Sequence, residues 1–440
     1  MDARANYHAL YRFGLGPMPG EAQRLGNDPQ GWLLAQLQAY AVPPALNSIL
    51  AAAPLRAHLA DQSAADKAAL GQFLQASKRR YLEHSALRFS VQLASQQPLL
   101  ERLLLFWSNH LTVSAQKPLI AGVVNQYEVQ AIRPNLNQHF EDLLLAVCRH
   151  PAMLVYLDNI QSIGPNSAAG QRRGKGLNEN LAREVLELHC LGVDGGYQQA
   201  DVIALANILT GWSLQRGEHG PELTYAFRPE MHQPGSHSLL GQRFSEGGEE
   251  QGIQALRMLA RHPATARHIS RKLAVHFVAD QPPAALIARL SQVYLDSNGH
   301  LPTLMAAIIA APEAWSAPLS KLKSPYEFAL AALRLTDVKP NAEQIIQGLD
   351  ALNARPLNAN SPAGDGDIWQ TWDNPDSLLK RITWASRLAQ RLPGPSQPLA
   401  FAEQALGPLL SHSSRLAISR AASSQEALAL LLASPEFQRR

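Results

Sequence analysis

The chain has 440 residues, of which 46% are hydrophobic and 17% are charged, and its formal net charge is +3 at pH 7. This length exceeds the usual size of one domain, so one large domain or two closely packed domains are both compatible with it. The hydrophobic content is ample for a core, which excludes an intrinsically disordered protein. The small net charge and the lack of a dense basic block argue against a nucleic-acid partner.

The sequence predicts neither a secretory signal nor a membrane span. The N-terminal segment lacks a positively charged stretch followed by an apolar one, so no secretory signal is predicted and a cytoplasmic location is the default. No run of about 18 uncharged apolar residues occurs, so no membrane span is predicted. Cys148 and Cys190 lie in apolar helical contexts, form no metal motif and do not decide the redox compartment.

The first 156 residues show mainly helical periodicity. A glycine-rich stretch at residues 14–20 reads GxGxxxG with two prolines, which favours a turn over a dinucleotide-binding loop. Two helices are predicted between Ser77 and His110, with a break around Gln97-Pro98. His110 at the end of the second helix either stabilises that helix end or projects into a pocket as a ligand or acid/base group.

The stretch from Asn178 to Trp212 carries the most unusual chemistry, and it is predicted to form two helices joined by a Gly-rich turn. At 100° per residue, His189 falls on the apolar face of the first helix and Glu184 lies beside its edge. His189 is therefore either a core histidine or a functional one, and Glu184 is either paired with a buried arginine or functional. Arg183 is spaced for surface ion pairs with the glutamates four residues before and after it.

The remaining chain is again helical, with predicted irregular excursions near residues 157–177, 213–249 and 340–375. His268, Lys272 and His276 repeat at four-residue spacing, a pattern that is typical of a solvated helix face. Lys321, Lys323 and Glu327 flank the turn at residues 324–325. We predict a mainly α fold, a large multi-helix orthogonal bundle with long irregular loops and little or no sheet, forming one domain over residues 1–440.

Several segments together resemble one known family. They read LLLFWSNHLTVS, HPAMLVYLDN, NENLAREVLELHCLGVDGGYQQADVIALANILTGW, HPATARHISRKLAVHFV and KLKSPYEF. Over essentially its whole length the chain is identified as a member of the bacterial family called domain of unknown function 1800. The resemblance implies no activity, because none is assigned to that family. Its genes commonly neighbour those of the Tat-exported family called domain of unknown function 1501, which resembles sulfatases and alkaline phosphatases. This implies a protein partner and keeps periplasmic co-export open.

The chain departs from the family pattern at one histidine-containing segment. Where members often read His-Asp-x-Gly-x-Lys, residues 232–237 read HQPGSH, so the carboxylate and the lysine are missing while His232 remains. Any acid or phosphate-binding role for the two replaced positions is therefore not expected here.

The absence of HExxH, CxxC and GxSxG motifs excludes several reaction classes, and the remaining His, Glu, Asn and Arg groups support two functional hypotheses. The first is a metal-assisted or acid/base hydrolase. Its predicted residues are Glu184, His189 and His110 as catalytic groups, Asn180, Arg183 and His232 as binding groups, and His110, Glu184, His189 and His232 as ligands of a possible divalent metal. The second is a non-catalytic binding protein or maturation partner of the neighbouring phosphatase-like or sulfatase-like protein.

Overall fold

A computed structural model of the chain describes residues 3–38, 40–52, 64–173, 176–217 and 220–440. The fold is 63% helical, and its strands form two antiparallel pairs. The prediction of a mainly α fold is confirmed.

Twelve α-helices occupy the described part of the first half of the chain. They are α1 (Ala3–His8), α2 (Glu21–Arg24), α3 (Pro29–Gln38), α4 (Asn47–Leu50), α5 (Ala64–Ala94), α6 (Pro98–His110), α7 (Val124–Tyr127), α8 (Phe140–Arg149), α9 (Pro151–Tyr156), α10 (Ala168–Arg173), α11 (Asn180–Glu184) and α12 (Gln199–Ile208). The predicted break before Pro98 is confirmed, because proline lacks a backbone N–H and fits best in the first turn of a helix.

Twelve further α-helices lie in the described residues after the first hairpin. They are α13 (Glu249–Ala260), α14 (Pro263–Phe277), α15 (Ala284–Asp296), α16 (Leu301–Ala310), α17 (Glu313–Ser316), α18 (Pro325–Thr336), α19 (Ala342–Ala351), α20 (Trp369–Trp372), α21 (Pro375–Gln390), α22 (Pro398–Leu406), α23 (His412–Ser419) and α24 (Ser424–Ala433).

Helical segments of other geometry connect or extend these helices. π-Helical turns occur at Ala9–Phe13, Glu128–Ile132 and Val185–Cys190. Short 3-10 helices occur at Pro44–Leu46, Ala121–Val123, Arg133–Asn135, Asn159–Gln161, Pro229–Met231 and Gly407–Leu409. The π-helical turn that follows α11 falls in the stretch that the sequence singled out, and such turns are frequent at functional positions.

The predicted irregular segment at residues 213–249 contains two β-hairpins instead. Strands β1 (Trp212–Gly217) and β2 (Gly220–Phe227) form the first hairpin, and β3 (His237–Leu239) and β4 (Gln242–Phe244) form the second. Trp212 pairs with Phe227, and Leu214 pairs with Tyr225. Apolar cross-strand pairs of this kind stabilise a short hairpin, and the alternating pattern was hidden among the glycines, prolines and histidines of the segment.

The other two predicted excursions also contain helices. Helix α19 lies at the start of the 340–375 segment, where the side chain of Asn341 accepts a hydrogen bond from the backbone N–H of Gln344. The sequence NAEQ is thus a capping box, which the prediction overlooked. Residues 353–368 are irregular, as predicted. In the 157–177 segment, α10 and a 3-10 turn interrupt the loop, and Lys175 lies outside the described residues.

The main hydrophobic core joins the two ends of the chain. It runs from Tyr7 to Phe437, and the Tyr11 hydroxyl donates to the carbonyl of Ala405 at 2.9 Å. Cys148 and Cys190 are free and fully buried, as small core residues are expected to be.

A group of buried ion pairs crosses this core, and we call Arg88, Glu101, Glu128 and Arg133 the paired network. Arg133 donates to both carboxylate oxygens of Glu101 at 2.9 and 2.7 Å. Arg88 lies 2.7 Å from Glu128, which also accepts from the Ser108 hydroxyl at 2.9 Å. All four members of the paired network are at most 3% exposed, and each cation has a carboxylate partner.

Candidate functional site

A cavity of about 770 Å³ opens between distant parts of the chain. The end of α6, one face of α14, the start of α18, the irregular segment 353–367 and Arg440 form its walls. Its size is in the range of ligand-binding clefts, and titratable side chains converge on it. The cavity is therefore the candidate functional site.

His276 and Asp367 form a hydrogen-bonded dyad in the wall of the cavity. Nδ1 of His276 lies 2.5 Å from Oδ2 of Asp367. The ring packs on Phe106 at a centroid distance of 5.3 Å, which fixes its orientation. The histidine is only 6% exposed, and its Nε2 has no hydrogen-bond partner among the described residues. A buried polar atom without a partner is costly, which points to a ligand or water as its normal partner.

The electrostatics of the dyad favour a neutral imidazole beside a charged carboxylate. Burial lowers the pKa of His276 to about 4, although Asp367 opposes that shift. Burial raises the pKa of Asp367, but the charges of His276 and Arg440 outweigh burial and hold that pKa below its ordinary value. At neutral pH the Nδ1–H of His276 thus donates to the carboxylate, and Nε2 carries a free lone pair. This is the state that a general base requires.

Two cations hold Asp367 in place. Arg440 lies 3.0 Å from its Oδ1, and Nζ of Lys321 donates to its backbone carbonyl at 2.7 Å. Lys321 also contacts Asp280, which accepts a hydrogen bond from the backbone N–H of Trp369 at 2.9 Å. Arg440 therefore fixes the carboxylate of Asp367, and Lys321 fixes its backbone.

The segment that carries Asp367 is also hydrogen-bonded to the end of α6. The side-chain amide of Asn109 donates to the Asp365 carbonyl at 2.8 Å and accepts from the Asp365 N–H at 2.7 Å. Gly364 has a φ of +72°, and a Cβ there would lie 2.4 Å from the carbonyl oxygen of Asn109. Only glycine fits this close approach without strain.

Lys272 lies one helical turn before His276 and also lines the cavity. Its ammonium group makes no ion pair or hydrogen bond with the described residues, although Asp367 is close enough to affect its charge. Burial lowers the pKa of Lys272, and the nearby Arg271 adds to that effect while Asp367 opposes it. The cavity therefore contains an uncommitted basic group next to the dyad.

His110 lines the same cavity, as one of the sequence hypotheses proposed for it. Its Nε2 donates to the backbone carbonyl of His189 at 3.1 Å, which leaves Nδ1 as the acceptor atom. Burial first, and then the charge of Lys272, lower its pKa well below the ordinary value, so the ring is neutral at pH 7. The rings of His110 and His268 lie 5.8 Å apart.

The second predicted catalytic histidine, His189, does not reach the cavity. It is fully buried, and neither of its ring nitrogens has a partner among the described residues. The backbone around it, by contrast, contacts two histidines of other helices. The last carbonyls of a helix lack partners within the helix. Here His110 bonds the carbonyl of His189, and His268 bonds the carbonyl of Leu188. Gly192, with φ +83°, leaves room for His268, because a Cβ would lie 2.7 Å from the ring.

Glu184, Asn180 and Arg183 lie away from the cavity lining. Glu184 is half-buried, and burial followed by the charge of Glu187 raises its pKa. It has no ion pair in the described part of the chain, so the suggested arginine partner is not found. Arg183 forms the predicted surface ion pair with Glu179 at 2.8 Å, and Asn180 is exposed.

His232 is held next to the first hairpin. Its Nδ1 donates to the carbonyl of Thr210 at 2.9 Å, and its ring packs on Phe227 at 5.4 Å. Its Nε2 is buried without a partner among the described residues. Across the described ranges, no three or more His, Cys, Asp or Glu side chains are grouped to hold a metal ion. The four predicted ligands, His110, Glu184, His189 and His232, therefore form no such group, although the rings of His110 and His189 lie 6.4 Å apart.

The sequence interpretation missed His276, Asp367 and Lys272. The four-residue spacing of His268, Lys272 and His276 was visible, but its interpretation as a solvated face is wrong, because this face lines the cavity and contacts the end of the 185–190 turn. Asp367 lies 91 residues from its partner in an irregular segment, and no local pattern marks it.

Comparison with known proteins places the chain in one family. Within the described residues, no helix is long and apolar enough to cross a membrane. No curated protein and no solved structure was found to match the chain. The family described as "Protein of unknown function (DUF1800)" matches residues 8–439. This match covers almost all of the 440 residues, so the chain belongs to the DUF1800 family.

Proposed function

We propose that the chain is an acid/base hydrolase whose reaction takes place in the cavity, with His276 as general base. One observation carries this proposal: His276 lines the cavity, its Nε2 is buried without a partner among the described residues, and its Nδ1 is bound to Asp367 at 2.5 Å. A histidine oriented by a carboxylate, with its second nitrogen free, is the arrangement that hydrolases use to remove a proton.

The proposed reaction is the hydrolysis of an ester. Nε2 of His276 accepts a proton from water as the water oxygen bonds to the electrophilic centre of the substrate. Asp367 stabilises the imidazolium that forms, because its carboxylate remains charged. The imidazolium then returns the proton to the leaving oxygen as the ester bond breaks, so the base is regenerated. His189 and Glu184 lie outside the cavity lining and take no step in this scheme.

The test is turnover of a panel of chromogenic esters, namely p-nitrophenyl acetate, phosphate and sulfate. We expect hydrolysis of at least one ester, and a loss of at least about 100-fold in kcat in His276→Gln and in Asp367→Asn. His412→Gln is the matched control, since this histidine is exposed and lies outside the cavity. Circular dichroism and thermal unfolding establish that each variant is folded.

Two outcomes contradict the proposal. One is the absence of turnover on the whole panel by the folded wild-type protein. The other is turnover that is the same in His276→Gln and in His412→Gln.

A second proposal, a binding or maturation partner of the neighbouring phosphatase-like or sulfatase-like protein, draws on exposed apolar side chains. Ile368 and Trp369 directly follow the dyad carboxylate, and each is 42% exposed. Exposed aromatic and aliphatic side chains are frequent anchors of protein interfaces. A pull-down with the neighbouring gene product tests this proposal: Trp369→Ala should weaken a complex, and the absence of any complex contradicts it.

A further inference from the structure

We infer that the substrate of the proposed hydrolase carries an oxyanion group, a phosphate, a sulfate or a carboxylate, which binds to Lys272 in the cavity. The inference rests on the proposed function, because it names the substrate class for the same site. It is drawn from the balance of buried and half-buried charge around the dyad.

We call the charged side chains around the dyad the cavity cluster. Its cations outnumber its carboxylates by six to four: they are Arg102, Lys272, Lys321, Lys323, Arg381 and Arg440, against Asp280, Glu327, Asp365 and Asp367. Buried charge of one sign is unfavourable unless an opposite charge accompanies it. The surplus therefore favours a bound anion.

Three of the four carboxylates already have cationic partners. Glu327 lies 2.5 Å from Arg102 and 3.2 Å from Arg440. Asp367 pairs with Arg440, and Asp280 pairs with Lys321. Of the cavity cluster only Asp365 is left for the other three cations, and it forms no ion pair with the described residues.

Two of those three cations are closed off by protein atoms. Lys323 donates to the carbonyls of Phe437 and Arg439 and lies over an aromatic ring at 4.9 Å. Arg381 is fully buried and donates to Gln438 at 3.2 Å, while two of its nitrogens have no partner among the described residues. Neither side chain lines the cavity, so neither is open to a ligand.

Lys272 is the remaining cation, and it does line the cavity. The other lining cations are occupied, since Arg88 pairs with Glu128 and Arg355 pairs with Asp350. Asp365 also lines the cavity and forms no ion pair with the described residues, and burial raises its pKa. Lys272 is thus available to donate charge-assisted hydrogen bonds to an oxyanion bound in the cavity, which His276 also lines.

The experiment is isothermal titration calorimetry of the full chain with inorganic phosphate, inorganic sulfate and acetate, each at constant ionic strength. We expect saturable one-site binding of at least one anion, and the preferred anion identifies which oxyanion the substrate carries. Lys272→Met should weaken that binding about ten-fold or more, because a charge-assisted hydrogen bond is lost. Lys272→Arg should retain it, and Lys339→Met, at an exposed lysine outside the cavity, should leave it unchanged.

The inference is overturned if no anion binds saturably, or if Lys272→Met and Lys339→Met bind equally well. If Lys272→Met does not fold, binding by Lys272→Arg compared with Lys272→Gln decides the same question. Anion binding without any turnover that depends on His276 would contradict the hydrolase and leave the anion site standing. Turnover of p-nitrophenyl acetate that depends on His276, without any anion binding, would contradict only the inference.

Discussion

Two groups of buried charges share helix α6, since Glu101 belongs to the paired network and its neighbour Arg102 belongs to the cavity cluster. In the paired network each arginine has its own carboxylate, at 2.7 Å in both cases. In the cavity cluster three cations lack a carboxylate, and a histidine nitrogen lacks any partner among the described residues.

The presence or absence of a carboxylate partner distinguishes charges that stabilise the fold from charges that are available to a ligand. In the paired network, Nε of Arg133 and Oε1 of Glu128 have no hydrogen-bond partner among the described residues, but they lie 3.7 Å from each other, so the charges remain paired. The contribution of such ion pairs is to fix how helices pack. An open set retains uncompensated charge and an unpartnered acceptor next to a cavity, where a ligand supplies what is missing. The contrast makes opposite predictions for similar substitutions in the two groups.

The largest expected effect is in the paired network. Arg133→Met leaves Glu101 buried without a cation, so it should lower the free energy of unfolding by about 3–5 kcal/mol. Urea unfolding followed by circular dichroism measures this loss. A loss below about 1 kcal/mol would show that the network is not closed in the way described here.

A smaller effect is expected from pH, and it concerns the cavity cluster. The pKa of His276 is about 4 in the folded chain, below its ordinary value of about 6.5. The unfolded chain therefore binds more protons between these two values, and stability is lost as the pH falls from about 6.5 to about 4. His276→Gln should remove about 2–3 kcal/mol of that loss.

The check is a comparison of urea unfolding of the wild type and His276→Gln at pH 7 and at pH 4.5. His189 and His268, with pKa values of about 4, titrate in the same window, so only the difference between the two proteins is informative. An identical loss of stability in both proteins would mean that His276 is not held neutral by burial.

The smallest effect is expected from removing a surplus cation. Arg381→Met keeps much of the side-chain volume and leaves no carboxylate of the cavity cluster without its ion pair. The free energy of unfolding should therefore fall by less than about 1 kcal/mol, or it should rise. Its comparison with Arg133→Met, under the same conditions, isolates the role of pairing. A loss of about 3 kcal/mol or more would mean that Arg381 is balanced by a charge after all.

The parts of this molecule that follow local rules were predictable from sequence. Helical periodicity and proline placement predicted the mainly α fold and the break before Pro98, and the helical angle of His189 predicted its burial. The capping box at Asn341 and the alternating residues of the first hairpin were readable but were overlooked among turn-forming residues.

The candidate site was not predictable in the same way, because contacts between distant segments create it. Asp367 contacts His276 because hydrogen bonds with Asn109 and Lys321 hold the irregular segment that carries Asp367 against α14. The four-residue spacing of His268, Lys272 and His276 on α14 does not show whether solvent or protein covers that face of the helix. The residues with the most unusual composition, around His189, support the site through their backbone carbonyls.

The central claim is that His276 is a neutral base with a free Nε2, and a two-bond ¹H–¹⁵N correlation spectrum of the ¹⁵N-labelled chain tests it most directly. His276→Gln assigns the signals of this ring. We expect the ring to be protonated on Nδ1 alone at pH 7 and to titrate at a pKa of about 4. A ring protonated on Nε2 or on both nitrogens at pH 7 would contradict it.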